Sequence, residues 1–445
     1  MIRRLFCTLI FIFIIFSSKN SFSEIKTLYL HIEEPGQKAL NICIIPPIFL
    51  GKNYQSTNNT QQLIRHFFYV IRNNIHFLPF LKYIPINDVI GGNQFKGVTI
   101  KDIDFRKFVI SKVDLLITIG WHLLENGNIR IEIRAFDVYT PSMIVGRGYI
   151  LNNINQVYEA ANKFCGLLMK RLTGKDGFFT SKIAFVKREK DGSKNIYIST
   201  PQGYMQTKIT DLKGIIMSPS WSYDGNFIIF TYISNMKHKL LLWCRDGRLR
   251  EILVPGNTII SPTFDPNGNI VLSSDVNGNL DIYLLDNNFK IKDKLIHSWA
   301  IDISPDFDNS GKKMVYVSSR YANPNIFLYD FDKKITKRIS YIGNYNTNPD
   351  ISGNGKYVIY STLTEKGHRI VLCDLDTLEE KIITTGPGND EHPCWGPDDY
   401  FIAFLSNRRG KYKIYITTKD GTSPVLVDTG EEEVGSIAWS KKIEQ

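Results

Sequence analysis

Eight histidines, five cysteines beyond residue 23 and the run Glu431-Glu432-Glu433 are the side chains of this chain best suited to chemistry. His31, His66, His76, His122, His238, His297, His368 and His392 form no local pair with metal-ligand spacing. Cys43, Cys165, Cys244, Cys373 and Cys394 include no C-x-x-C, so neither a zinc knuckle nor a redox motif is expected. Their odd number leaves at least one unpaired, and small buried hydrophobes are the plainer reading than a disulfide framework. A Cys43–Cys165 bridge stays open. There is no Gly-x-Ser-x-Gly elbow, no His-Glu-x-x-His and no Gly-x-x-x-x-Gly-Lys-Ser/Thr. The three glutamates with Asp302 could hold a hard cation, although a solvated run is the simpler reading. No catalytic residue, cofactor or metal is therefore assigned. What remains is binding chemistry, in which aromatic rings stand beside fixed polar groups. It is carried by Asn257, Thr258, Trp299, Asp302, Tyr345, Asn346, Asn348, Asp390, Glu391 and His392.

A repeat positions these residues. The phrase beginning Ser218-Pro-Ser-Trp recurs at Ser261, Ser304, Asn348 and His392, with its prolines 43, 43, 44 and 44 residues apart. After each phrase comes an apolar run, such as Phe227-Ile-Ile-Phe230 or Phe401-Ile-Ala-Phe404. Asp224-Gly225, Asn267-Gly268, Ser310-Gly311 and Asn354-Gly355 separate phrase from run, as tight hairpins require. Third and fourth strand signals follow, giving a four-stranded meander. A period of 40–45 residues with this content is that of a β-propeller blade. The prolines are expected at the first residue of each first strand, where no ladder donor is lost. The ten binding residues then fall on the loops that connect one blade to the next.

Six blades fit better than five. Ile183-Ala-Phe-Val186 matches a second strand, and its first strand is missing from the N-terminal side. Trp439 lies 44 residues after Trp395, in phrase register. The C-terminal strand Gly435 to Ser440 is therefore expected to complete the first blade and remove two open edges.

Residues 1–23 read as an export signal. Arg3 and Arg4 precede an apolar stretch from Leu5 to Phe16, twelve residues long and short of the roughly 20 needed to span a bilayer. Ser21-Phe22-Ser23 supplies small residues for cleavage, so the mature chain is expected to start at Glu24, soluble and exported. The net charge of +10 resides mostly in the signal and in residues 24–178. The propeller, 179–445, is nearly neutral, which argues against a nucleic-acid surface. The basic first domain could meet an acidic partner or an anionic membrane, or be a scattered solvated face.

Residues 24–178 alternate strand and helix signals, as a small α/β sandwich does. Helices are expected over Thr60 to Asn74, Asp104 to Ser111 and Asn155 to Leu172. Strands are expected over Thr27 to Ile32, Leu40 to Ile45, Val113 to Ile119, Ile129 to Tyr139 and Met143 to Ile150. Thr173-Gly-Lys-Asp-Gly177 is a polar stretch of the kind that allows domain motion. An export signal, this domain, the joint Thr173 to Val186 (Thr-Gly-x-x-Gly-x-Phe-x-Thr-x-Ile-Ala-Phe-Val) and Pro-x-Trp-x-x-Asp-Gly repeats together resemble the TolB family. That family is the periplasmic component of the Tol-Pal system of Gram-negative envelopes. The resemblance implies a non-enzymatic adaptor that binds the lipoprotein Pal at a propeller face and TolA through its N-terminal segment. Here that segment holds Glu24, Ile25, Leu28, Leu30 and Ile32. Support of outer-membrane integrity and of constriction at cell division is implied with it. The competing reading is an exported peptidase of the prolyl-oligopeptidase type, whose propeller accompanies an α/β-hydrolase domain. Neither the first domain nor the few residues after Ser440 supply one.

Overall fold

The computed structural model describes residues 39–52, 57–91 and 97–442. Its first domain is a mixed sheet with helices on both faces. The strands are β1 (Leu40–Ile44), β2 (Ile48–Phe49), β3 (Leu81–Ile84), β4 (Leu115–Leu123), β5 (Ile129–Asp137) and β6 (Ser142–Leu151). They run in the order β3-β1-β4-β5-β6, with β2 also paired to β4. β1 is parallel to β3 and β4, whereas β4, β5 and β6 form an antiparallel meander. The expected strand at Thr27 to Ile32 lies outside the described residues. β2 and β3 were not foreseen, since two and four residues give too little alternation to read.

Helix α1 (Asn58–His76) starts where the Thr57 hydroxyl accepts the Thr60 N–H, and it buries Leu63, Phe67, Val70 and Ile71 along one stripe. Helix α2 (Phe105–Ile110) is capped by Asp104 and covers the opposite face of the sheet. Helix α3 (Ile154–Thr173) is capped by Asn153 and ends at Gly174, whose φ of 74° a side chain would resist. Between α1 and α3 the buried Asn74 amide donates to the Asn162 carbonyl at 2.8 Å.

The second domain is a propeller of six four-stranded sheets. Blade 1 joins the closing strand Val434–Trp439 to Ile183–Arg188, with Trp439 opposite Ile183. The ring is thus closed by the C-terminal strand, as the repeat register requires. Blades 2 to 6 span residues 215–252, 259–294, 302–338, 346–382 and 390–426.

The prolines do not begin the inner strands. Pro219 sits inside Ile215–Trp221, at a shift in register between Met217 and Ser220. The same bulge recurs in blades 3 to 6. Each bulge turns the residue before proline to positive φ: Ser218 (51°), Ser261 (48°), Ser304 (56°), Asn348 (52°) and His392 (48°). A bulge leaves its extra residue out of the ladder, so proline costs no hydrogen bond there. The strand therefore continues upstream of the proline. Asp302, Asn346, Asn348, Asp390, Glu391 and His392 consequently lie in inner strands rather than in loops.

The joint between domains is packed rather than loose. Phe178 and Phe179 are fully buried and stack on each other with centroids 4.4 Å apart. Phe178 also meets Phe401 and Trp439 of blades 6 and 1. One apolar core runs from α1 and α3 through this pair into the propeller. Tyr158 of α3 stacks on Tyr204 of blade 1 at 4.5 Å, and the Tyr204 hydroxyl accepts from the Asn73 amide. A Cβ on Gly177 would lie 2.9 Å from the Gly166 Cα, so glycine is needed for the close approach. The polar stretch before Phe178 is short, and the aromatic pair behind it anchors the domains.

Candidate partner-binding face

Strand direction gives the ring two unlike faces. The turns between first and second strands, together with the first domain, lie on one, called here the joint face. The blade-to-blade connections and the turns between second and third strands lie on the other, the open face. Between them runs a channel of about 160 Å³ lined by Ser218, Ser261, Ser304, Asn348, His392 and Ser436. The bulges aim these side chains inward. Ser261 and Ser304 hydroxyls stand 3.2 Å apart across neighbouring blades. Burial lowers the His392 pKa, Glu391 pulls it back up and His368 lowers it further. A largely neutral imidazole at this point suits packing and hydrogen bonding.

The ten residues singled out from sequence divide sharply by exposure. Trp299 is 81% exposed, Tyr345 is 45% exposed, and Asn257 stands in solvent. The Asp275 carboxylate fixes the turn at Asn257 and Thr258 by accepting both backbone N–H groups, at 2.7 and 2.9 Å. Asp302, Asn346 and Asp390 are fully buried and face inward, so direct contact with a partner is closed to them. Asp302 accepts from Ser298 at 2.5 Å and pairs with Arg320 at 3.4 Å. Asp390 pairs with Arg408 at 2.9 Å. The two guanidiniums repeat one arrangement. Arg320 donates to Ser318 and covers Phe327, while Arg408 donates to Ser406 and covers Tyr415. These clamps hold the connections of blades 4 and 6 in place. Glu391 accepts from the Tyr412 hydroxyl at 2.8 Å.

The clamps were not foreseen, although a signal existed. Ser318-Ser-Arg320 and Ser406-Asn-Arg408 recur 88 residues apart, two blade periods. Three further residues escaped sequence reasoning because no local pattern marks them. Tyr321 and Tyr341 are 62% and 58% exposed, and the Arg338 guanidinium lies between them, 5.7 and 5.0 Å from their ring centres. With Trp299 and Tyr345 they make an aromatic arc over blades 4 and 5. Blades 6 and 1 present charge on the same face instead, including Lys187, Arg188, Lys190, Glu432 and Glu433. Glu432 and Glu433 lie 3.9 Å from Lys187 and Arg188. Two of the three glutamates are thus paired with lysine and arginine, and Asp302 is engaged elsewhere. No group of three metal-ligating side chains occurs among the described residues.

Comparison with known proteins decides the family. The TolB beta propeller domain family matches residues 169–443. The chain belongs to the TolB family. It is 34% identical over 287 residues to the Tol-Pal system protein TolB of Nitratidesulfovibrio vulgaris, covering 64% of each chain. It is 33% identical over 215 residues to that of Desulfosudis oleivorans, covering 46% of each. The matched stretch is thus under two thirds of each relative's length. The crystal structure of TolB from Acinetobacter baumannii has the same fold at 19% identity, with a TM-score of 0.76 over 91% of this chain and 97% of that one.

At the joint-face end, the chain places one of its own side chains, Lys441, in the channel lining. Lys441 Nζ donates to the Phe307 carbonyl at 2.9 Å and the Tyr223 hydroxyl at 3.1 Å, with Asp306 at 4.0 Å. Burial alone would lower the Lys441 pKa, but Asp306, Tyr223 and Asp350 together raise it above the usual lysine range. Burial and the adjacent Asp306 raise Asp350 in turn. Cys43, Cys165, Cys373 and Cys394 are buried free thiols, and Cys244 is half-buried and free. Cys43 and Cys165 stand in separate cores and do not bridge.

Proposed function

We propose that the chain is a periplasmic, non-enzymatic adaptor that binds the lipoprotein Pal by its open propeller face and TolA by its N-terminal segment. Through these contacts it supports outer-membrane integrity and constriction at division. The observation that carries the reading is the aromatic arc. Trp299, Tyr321, Tyr341 and Tyr345 are large and exposed, and the buried Asp302–Arg320 clamp stands beside Trp299 and Tyr321 while the Glu380 carboxylate accepts the Tyr341 N–H. Rigid aromatic residues beside polar groups are the usual composition of an interface hot spot. Family membership supports the choice of partners. Among the described residues no helix is long and apolar enough to cross a membrane. Glu24, Ile25, Leu28, Leu30 and Ile32 lie outside the described residues, so the TolA contact rests on the family resemblance and on the strand-like pattern of that segment.

The experiment is calorimetry of the mature chain with the periplasmic domains of Pal and of TolA. Trp299→Ala and Tyr345→Ala should each weaken Pal binding several-fold, the effect of a hot spot above ~1 kcal/mol, at unchanged thermal stability. Deleting residues 24–34 should abolish TolA capture and leave Pal binding in place. Wild-type affinity for Pal in both substituted forms, or TolA capture by the deleted form, would contradict the assignment.

A further inference from the structure

We infer that Glu380, on the outermost strand of blade 5, is the positioning residue of the docking rim, holding the 341–345 connection so that Arg338 and its flanking tyrosines meet a partner surface that is apolar and carries a carboxylate. The inference rests on the proposed function for the partner, but its local half stands on geometry alone. Both Glu380 oxygens accept the Tyr341 N–H at 3.0 Å, and one also accepts the Ile342 N–H at 2.9 Å. The Tyr360 hydroxyl donates to the same carboxylate from inside blade 5. One half-buried side chain thereby satisfies two consecutive backbone donors of the connection between blades 4 and 5. The connection leaves the outer strand of blade 4 beside Arg338 and carries both Tyr341 and Tyr345. Other connections are held differently. Asp275 fixes Asn257 and Thr258 from a turn of the same blade, and Asn407 holds Asn389 in the same way. Glu380 differs from these in acting from the outermost strand of its blade, at the place where the exposed tyrosines stand.

The chemistry of the rim defines what it takes. Arg338 Nε donates to the Ser340 carbonyl at 2.7 Å, which fixes the plane of the guanidinium between two rings. A guanidinium flanked by aromatic faces offers donors in a rigid fork, best matched by a carboxylate arriving with apolar neighbours. Without the Glu380 carboxylate the two N–H groups lose their acceptor, and the tyrosines must be ordered at the moment of binding.

The test combines amide hydrogen exchange with calorimetry against the Pal periplasmic domain, using Glu380→Ala, Glu380→Gln, Tyr360→Phe and Arg338→Gln. Glu380→Ala should speed exchange at Tyr341 and Ile342 and weaken binding about tenfold. Glu380→Gln keeps one acceptor oxygen and should recover much of both. Tyr360→Phe, which leaves the carboxylate in place, reports the same effect at smaller size if Glu380→Ala does not fold. Arg338→Gln should weaken binding and flatten its salt dependence. Unchanged exchange at 341–342 in Glu380→Ala would overturn the positioning role. Faster exchange with wild-type affinity would overturn the rim as the contact. Failure of the wild type itself to bind would overturn the proposed partner, while the exchange result would still decide the role of Glu380.

Discussion

On the joint face, Lys441, two residues past the closing strand, closes the channel by reaching to Tyr223 of blade 2 and Phe307 of blade 4. Phe178 and Phe179 continue the core of the first domain into blades 6 and 1. On the open face the buried polar groups lie one layer down, and the layer above is exposed ring and backbone turn. Asp302 and Asp390 are fully buried while Trp299, three residues before Asp302, stands 81% exposed. The two faces come from one repeat, so the difference is made by what each blade adds at its ends. The joint face uses its aromatic residues for internal packing. The open face keeps its aromatic residues accessible, with the Asp302–Arg320 pair behind Trp299 and the Glu380 carboxylate behind Tyr341. An exposed aromatic arc on a rigid support has binding as its use, whereas a buried one has stability.

The largest test of the contrast is removal of the closing strand. Ending the chain after Val434 should expose the edge of Ile183–Arg188, free the channel end from Lys441 and abolish cooperative unfolding of the propeller as a whole. A melting transition unchanged by the truncation would break the account of ring closure. Next in size is Asp390→Ala, which leaves the Arg408 guanidinium buried without its carboxylate. It should cost about 3 kcal/mol in denaturant unfolding, whereas Trp299→Ala nearby should cost almost nothing. Equal losses would erase the division between support and contact. Lys441→Met comes third, at about 2 kcal/mol, because its side chain is still one quarter exposed. Introducing Asp306→Asn beside it should recover part of that loss, since the remaining buried charge is then smaller.

The smallest effect is a pH slope on the joint face. Burial pushes the Asp398 carboxyl up to about 6, against the Phe401 and Tyr400 backbone N–H groups that pull it down. Its folded pKa thus lies above the unfolded value near ~4. The corresponding stability is fully present below that unfolded value and is lost as pH rises through about 6. Asp398→Asn should therefore compare more favourably with wild type at pH 7 than at pH 4, by the melting temperatures at the two values. A difference independent of pH would show that Asp398 is not held in this way.

The sequence carried the period, the ring closure and the order of domains, because each depends on patterns repeated over many residues. Trp439 in register with Trp395 was enough to place the last strand in the first blade. The bulges were hidden, since proline at a strand start and proline at a bulge look alike without the ladder. That one ambiguity moved Asp302, Asn346 and Asp390 from strand to loop, and hence from support to surface. Trp299 and Tyr345 were found because aromatic residues in polar connections stand out locally. Tyr321 and Arg338 were not, because their stacking joins two strands with 13 residues between them, and Tyr341, three residues after Arg338, was read only as the start of a connection. Lys441 was missed for the same reason. A lysine near a chain end reads as solvated until the fold shows the channel behind it.

The central claim is that docking uses the aromatic arc over blades 4 and 5 and leaves the joint face untouched. Hydrogen exchange of the mature chain, with and without the Pal periplasmic domain, tests it most directly. The account predicts protection at 297–301, 319–323 and 339–346, with the turns around Tyr204, Phe401 and Lys441 unchanged. Protection concentrated at those joint-face turns, or over the charged connections of blades 6 and 1 with none at 339–346, would contradict it.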